Sequence, residues 1–281
     1  MPSPTEISAS QLSRLIGLPD APSIVDVRTP EHFDADPRII PGALRRAHDD
    51  VASWAHAYDG RHVVVTCKGG GKLSQGVAAW LRHEGIEAET LEGGHEAWLA
   101  AGGLLVDTRK LPPRDANLRT LWVTRARPKV DRIACPWLIR RFVDPHAVFL
   151  FVSPTDVAGV AERFKATPFD VEGVYWSHRG ERCSFDTFID ELGLSSPALD
   201  RLAAIVRGAD TARQDLAPEA AGLLAASFGY SRMYKDDLEQ LEHAMGLYDA
   251  FYRWARDATD ETHNWPATKP KPAQAPLPTR V

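Results

Sequence analysis

The sequence predicts an α/β chain: a parallel sheet flanked by helices over residues 5–105, then a mostly helical α+β unit over 120–257. Three observations carry this. Short β-branched runs alternate with amphipathic stretches in the first part. Apolar residues recur mostly at helical spacing in the second. Between the two, the charge changes sign: positions 1–107 hold 9 Lys+Arg and 15 Asp+Glu, net −6, whereas 109–141 hold 10 and 2, net +8. Together with Gly102-Gly103 and Pro112-Pro113, the switch marks a linker at 106–119. A Pro-rich tail at 258–281 is expected to be solvated and polyproline-like, without a fold of its own.

Each element has its own signal. Ser23-Ile24-Val25-Asp26-Val27 and His62-Val63-Val64-Val65-Thr66 read as buried parallel strands. Val77, Trp80 and Leu81 stand at i, i+3 and i+4, which predicts a helix over 74–83, capped by Ser74 and ended by Gly85. A third strand follows at 87–91, then Gly93-Gly94 and a short helix through Trp98. Further on, Ile133, Trp137, Leu138 and Phe142 form one helical stripe, and Pro136 requires that helix to start late or kink. Residues 148–152 and 171–176 read as strands. Ser184 reads as the N-cap of a helix carrying Phe185, Phe188, Ile189 and Leu192. Leu238, Leu241, Met245, Tyr248 and Tyr252 predict a long amphipathic helix.

Composition excludes several classes. With 44% hydrophobic and 25% charged residues and eight tryptophans in 281, the body of the chain is globular, not disordered, collagenous or coiled-coil. It contains no apolar run of about 18 residues, the length that spans a bilayer. The opening MPSPTEISAS lacks a basic region and an apolar core, so no secretory signal is expected. Three cysteines are too few, and of the wrong parity, for a disulfide framework, which points to a reducing cytoplasm.

Cys67-Lys68-Gly69-Gly70-Gly71-Lys72-Leu73-Ser74 joins a strand to a helix. Consecutive glycines let backbone N–H groups turn inward as an anion-binding nest, reinforced by the helix N-terminus. Such surroundings favour negative charge on the Cys67 sulfur, as thiolate or as persulfide. Lys68 and Lys72 are placed to receive an oxyanion as point charges.

With Ile24-Val25-Asp26-Val27-Arg28-Thr29-Pro30, Ile40-Pro41-Gly42-Ala43 and Leu91-Glu92-Gly93-Gly94-His95-Glu96-Ala97-Trp98, this loop makes residues 5–105 resemble a single-domain rhodanese. The resemblance implies a sulfurtransferase that needs no cofactor, here in the cytoplasm that the cysteine count suggests. Cys67 would be the sulfur-carrying nucleophile and Lys68, Gly69, Gly70, Gly71 and Lys72 the substrate cradle. Its partners would be a thiosulfate-like sulfur donor and a thiol or cyanide acceptor. Asp26 and Arg28 would be structural. The family usually has arginine at the last loop position, then a small residue; here Lys72 and Leu73 stand there.

The stretch from Trp122 to Phe142, with Phe169-Asp170-Val171-Glu172-Gly173, the run from His178 to Phe185 and Ala209-Asp210-Thr211, resembles the C-terminal domain of bacterial chromate-resistance proteins. It implies a link to chromate or oxidative stress. Arg125, Arg127, Lys129, Arg132, Arg140 and Arg141 are candidates for gathering oxyanions such as chromate or sulfate, or phosphate. No helix-turn-helix or zinc-finger spacing is present, so sequence-specific nucleic-acid reading ranks low. Glu172, His178, Cys183 and Asp210 are candidate ligands for a divalent metal, with Glu242 and His243 as contributors. Cys135, on an apolar stripe, reads as core. Two other functions fit these features: an oxyanion or redox sensor with a basic second unit, and a metal-dependent redox enzyme in that unit.

Overall fold

A computed structural model describes residues 5–262, so from position 263 the Pro-rich tail lies outside the described residues. The first unit runs β1 (Glu6–Ile7), α1 (Ala9–Leu15), β2 (Ser23–Asp26), α2 (Pro30–Ala35), β3 (Arg38–Ile39), β4 (Leu44–Arg45) and α3 (Val51–Trp54). It continues through β5 (His62–Thr66), α4 (Lys72–His83), β6 (Glu87–Leu91), α5 (Gly94–Ala100) and β7 (Val106–Asp107). The second unit runs β8 (Leu121–Arg125), α6 (Asp131–Phe142), β9 (Val148–Val152), α7 (Val157–Phe164) and β10 (Thr167–Pro168). Four helices complete it: α8 (Ser184–Leu192), α9 (Pro197–Asp210), α10 (Ala220–Met233) and α11 (Asp237–Asp257).

The chain is α/β. Its first sheet is parallel, in the order β1-β6-β5-β2-β4, with β5 at the centre and Val25 in register with Val65. Val63, Val64 and Val65 are fully buried because both faces of β5 are covered. Val77, Ala78 and Leu81 of α4 pack on the face bearing Val63 and Val65. Val64 and Ile24, on the other face, join an apolar core that continues without a break into the second unit through Trp122, Trp137, Phe142 and Tyr248. That close approach requires Gly17, where φ is +80° and an added Cβ would lie 2.4 Å from Phe142 Cζ. The Gly42 N–H also donates to the Phe142 carbonyl at 2.8 Å, and Arg256 to the Arg14 carbonyl at 2.9 Å. A second parallel sheet, β10-β8-β9, supports the other unit.

Several elements differ from the sequence reading. Helix α4 starts at Lys72 with Gly71 as N-cap; Ser74 is buried inside it, its hydroxyl donating to the Gly71 carbonyl at 3.1 Å. Trp80, placed on the apolar stripe, is exposed. Helix α6 starts before Pro136, at Asp131. Tertiary contacts override the proline there: the Val130 N–H donates to Ser227 Oγ at 2.9 Å, and its carbonyl accepts from Tyr248 Oη at 2.7 Å. Residues 171–176 are a turn, because Asp170 (φ +48°) and Gly173 (φ +79°) cannot extend a pleat. It closes with the Asp170 N–H donating to the Trp176 carbonyl at 2.9 Å. The N-cap of α8 is Cys183, one residue before the expected Ser184. Val106 and Asp107, assigned to the linker, form β7 against β3.

Candidate functional sites

Cys67 follows the C-terminal end of the central strand β5 and faces α4, the place where parallel sheets present ligands. It is 5% exposed, and its Sγ lies 3.2 Å from Ser74 Oγ. The Ser74 hydroxyl has one proton, which the Gly71 carbonyl takes when Cys67 is a thiol and which can turn to the sulfur when Cys67 is a thiolate. A second loop clamps this one. The His95 N–H donates to the Cys67 carbonyl at 2.9 Å, and the Glu96 N–H to that of Lys68 at 3.0 Å. Gly70 (φ +68°) and Gly94 (φ +59°) interlock: a Cβ on either would lie under 3 Å from backbone atoms of the other's loop. Lys68, Gly69, Gly71 and Lys72 are exposed on the rim, Lys68 3.7 Å from Glu96, while Gly70 is buried.

Asp26 and Arg28 form a buried pair at 2.6 Å, and Arg28 also donates to the Asp36 and Arg38 carbonyls. Beside them His95 Nε2 meets Asp36 Oδ2 at 3.3 Å. Burial, then the nearby Arg28 charge, holds the His95 imidazole below its usual 6.5 despite Asp36. Because the unfolded chain takes up that proton first, His95 contributes stability above pH 6.5 that is lost as pH falls. Urea unfolding between about pH 7 and pH 5 should therefore show a loss of stability, part of it missing in His95→Gln.

A second constellation lies at the C-terminal ends of β8 and β10. His178 Nε2 is 3.3 Å from Asp131, 3.4 Å from Asp170 and 3.2 Å from Asp210. Asp131 and Asp170 are 1% and 4% exposed. Asp131 accepts from the Ser184 N–H at 3.1 Å; Asp170 accepts from Ser184 Oγ at 2.8 Å and pairs with Arg125 and Arg132, each at 3.2 Å. Burial pushes the Asp131 carboxyl up to about 7. Burial also pushes Asp170 upward, but hydrogen bonds from His178 and Ser184 and the two arginines outweigh it and hold Asp170 below the usual range. The three carboxylates, Asp131 foremost, raise His178 to about 12. These side chains line a cleft of about 450 Å³, together with Lys129, Leu224 and Phe228. Val130 (φ +42°), Asp170 (φ +48°) and Ala212 (φ +58°) also line it. Left-handed backbone at a β-branched residue is costly, and such strain gathers at functional sites.

Residues 8–101 match the family model described as Rhodanese-like domain, and 122–255 that described as ChrB, C-terminal domain. The chain joins a rhodanese-like domain to a ChrB C-terminal domain. Among curated proteins, Protein ChrB of Cupriavidus metallidurans is 34% identical over 137 residues, 47% of this chain and 39% of that protein. A rhodanese-like domain protein from Staphylococcus aureus is 30% identical, covering 34% of this chain and 90% of its own, with a TM-score of 0.30. A thiosulfate sulfurtransferase from Pseudomonas aeruginosa is 24% identical, covering 38% and 20%, with a TM-score of 0.33.

In the ChrB C-terminal domain, the structure brings together two of the four expected metal ligands, His178 and Asp210, and adds Asp131 and Asp170. Glu172 is exposed on the 171–176 turn, outside the converging group. Cys183 is fully buried, its N–H and thiol turned to Asp186 Oδ2 at 3.0 and 3.4 Å. Burial raises the Cys183 and Cys135 thiols well above their usual range, and both belong to the apolar core. Glu242 pairs with Arg140 at 2.6 Å, and His243 stacks on Tyr234 at 4.5 Å. Most of the basic stretch is engaged internally: Arg141 holds Asp249 at 2.8 Å, and Arg127 caps the carbonyls ending α10. In the rhodanese-like domain, the sequence reading missed the contact between Ser74 and Cys67 because it gave Ser74 to a helix cap.

No described helix is long and apolar enough to cross a membrane.

Proposed function

We propose that the rhodanese-like domain is a sulfurtransferase that carries sulfur as a Cys67 persulfide. The observation behind this is the position of Cys67 beyond the central strand, beside the α4 N-terminus, in a loop that Gly93-Gly94 clamps through backbone alone. The Cys67 thiolate attacks the outer sulfur of a thiosulfate-like donor. A new S–S bond forms, the donor's S–S bond breaks, and sulfite leaves with its electron pair. An acceptor thiolate or cyanide then attacks the outer persulfide sulfur, takes it, and returns Cys67 as thiolate. Lys68 and Lys72, exposed on the rim, meet the donor's sulfonate. Ser74 Oγ, 3.2 Å from the sulfur, steadies its charge.

Two half-reactions on one nucleophile require ping-pong kinetics. Thiosulfate:cyanide turnover should give parallel double-reciprocal lines, and Cys67→Ser should lower it at least about a thousand-fold. A Cys67→Ser protein with wild-type turnover overturns the proposal. Fusion to a ChrB C-terminal domain supports a link to chromate or oxidative-stress resistance.

A further inference from the structure

We infer that Asp131, Asp170, His178 and Asp210 form a binding site for a first-row divalent transition ion in the ChrB C-terminal domain. The four residues come from the start of α6, the turn after β10, the segment before α8 and the end of α9. Elements so far apart in sequence bring their ligand atoms onto one imidazole nitrogen, at 3.2 to 3.4 Å. One Nε2–H points at one carboxylate, so hydrogen bonding does not explain why three converge.

Metal chemistry does. Metal–ligand bonds of about 2.0–2.2 Å put neighbouring ligand atoms about 3 Å apart, and the three distances from His178 Nε2 are close to that. Ligand atoms of Asp131, Asp170 and His178 all lie within 4.8 Å of one another, and Asp210 joins this group through His178 alone, at 3.2 Å. Two of the carboxylates, Asp131 and Asp170, are almost fully buried. Three carboxylates and an imidazole suit Mn²⁺, Fe²⁺ or Zn²⁺; calcium takes oxygen alone. Arg125 and Arg132 balance the surplus negative charge from the Asp170 side. The cluster lines the cleft of about 450 Å³, leaving the ion accessible to water or an anion beside Lys129 as a further ligand. That openness distinguishes a reactive metal centre from a closed structural one. The inference does not depend on Cys67.

The test uses the full chain, stripped with a chelator and titrated with Mn²⁺ under electron paramagnetic resonance. The expected result is one saturable site per chain, which quenches the free-ion signal, resists excess Ca²⁺ and shows nitrogen coupling from the imidazole. Asp210→Asn and His178→Gln alter partly exposed side chains and should stay folded by circular dichroism. Each should weaken binding by at least about ten-fold, with the nitrogen coupling lost in His178→Gln. Glu172→Gln, which removes a carboxylate outside the cluster, should bind as wild type. Absence of saturable binding of either Mn²⁺ or Zn²⁺ overturns the inference, as does wild-type affinity in both cluster variants.

Discussion

Gly94→Ala should destabilise the chain by more than about 4 kcal/mol and remove sulfur transfer with it. An added Cβ would lie 2.4 Å from the Cys67 carbonyl oxygen, 2.4 Å from Gly70 N and 2.8 Å from the Lys68 oxygen. These are backbone atoms, and they cannot move without opening the hydrogen bonds from His95 and Glu96 that hold the Cys67 loop. The φ of +59° adds a second cost for any L-side chain. Gly76→Ala is the matched control. Its Cβ would enter open space on helix α4, so it should be neutral or stabilise by up to about 1 kcal/mol. Urea unfolding and thiosulfate turnover, measured on both variants, separate a loop-specific loss from a general effect of adding a methyl group.

Trp137→Ala should cost about 3–5 kcal/mol. Trp137 is fully buried, with its ring 5.5 to 6.4 Å from those of Phe142, Phe185, Tyr248 and Tyr252. Its Nε1–H donates to Asp249 at 2.8 Å, a carboxylate that would keep its pair with Arg141. The cavity therefore dominates the loss. Because one apolar core runs through both domains, calorimetry should show a single transition that moves down as a whole. Two separate transitions, only one of them shifted, would contradict a shared core.

What the sequence made legible follows from how local each signal is. The runs at 62–66 and 87–91 are strands with those bounds; at 62–66, β-branched Val63, Val64, Val65 and Thr66 fix a buried strand without outside help. Helix α10 had no such signal: Ala220–Met233 is rich in small and apolar residues on all sides, and only its packing on α9 and α11 makes it a helix. Pro136 misled because the anchor for α6 is tertiary, through Ser227 and Tyr248. The Cys67 loop was readable because strand, glycines and helix follow one another in a single stretch. The Asp–His cluster was half readable. His178 and Asp210 stood out as chemistry-bearing residues, but treating 171–176 as a strand drew attention to Glu172 and away from Asp170, the residue that turns the chain into the cleft. Asp131 was hidden by the expectation of a helix starting later. A carboxylate just after a parallel strand, at the point where a helix begins, is the signal that would have found it.

The most direct test of Cys67 as a sulfur carrier is intact-protein mass spectrometry after thiosulfate treatment, on wild type and on Cys67→Ser. Wild type alone should gain one sulfur atom and lose it again on addition of cyanide or a thiol. A wild-type mass unchanged by thiosulfate, or the same gain in Cys67→Ser, would contradict the persulfide at Cys67.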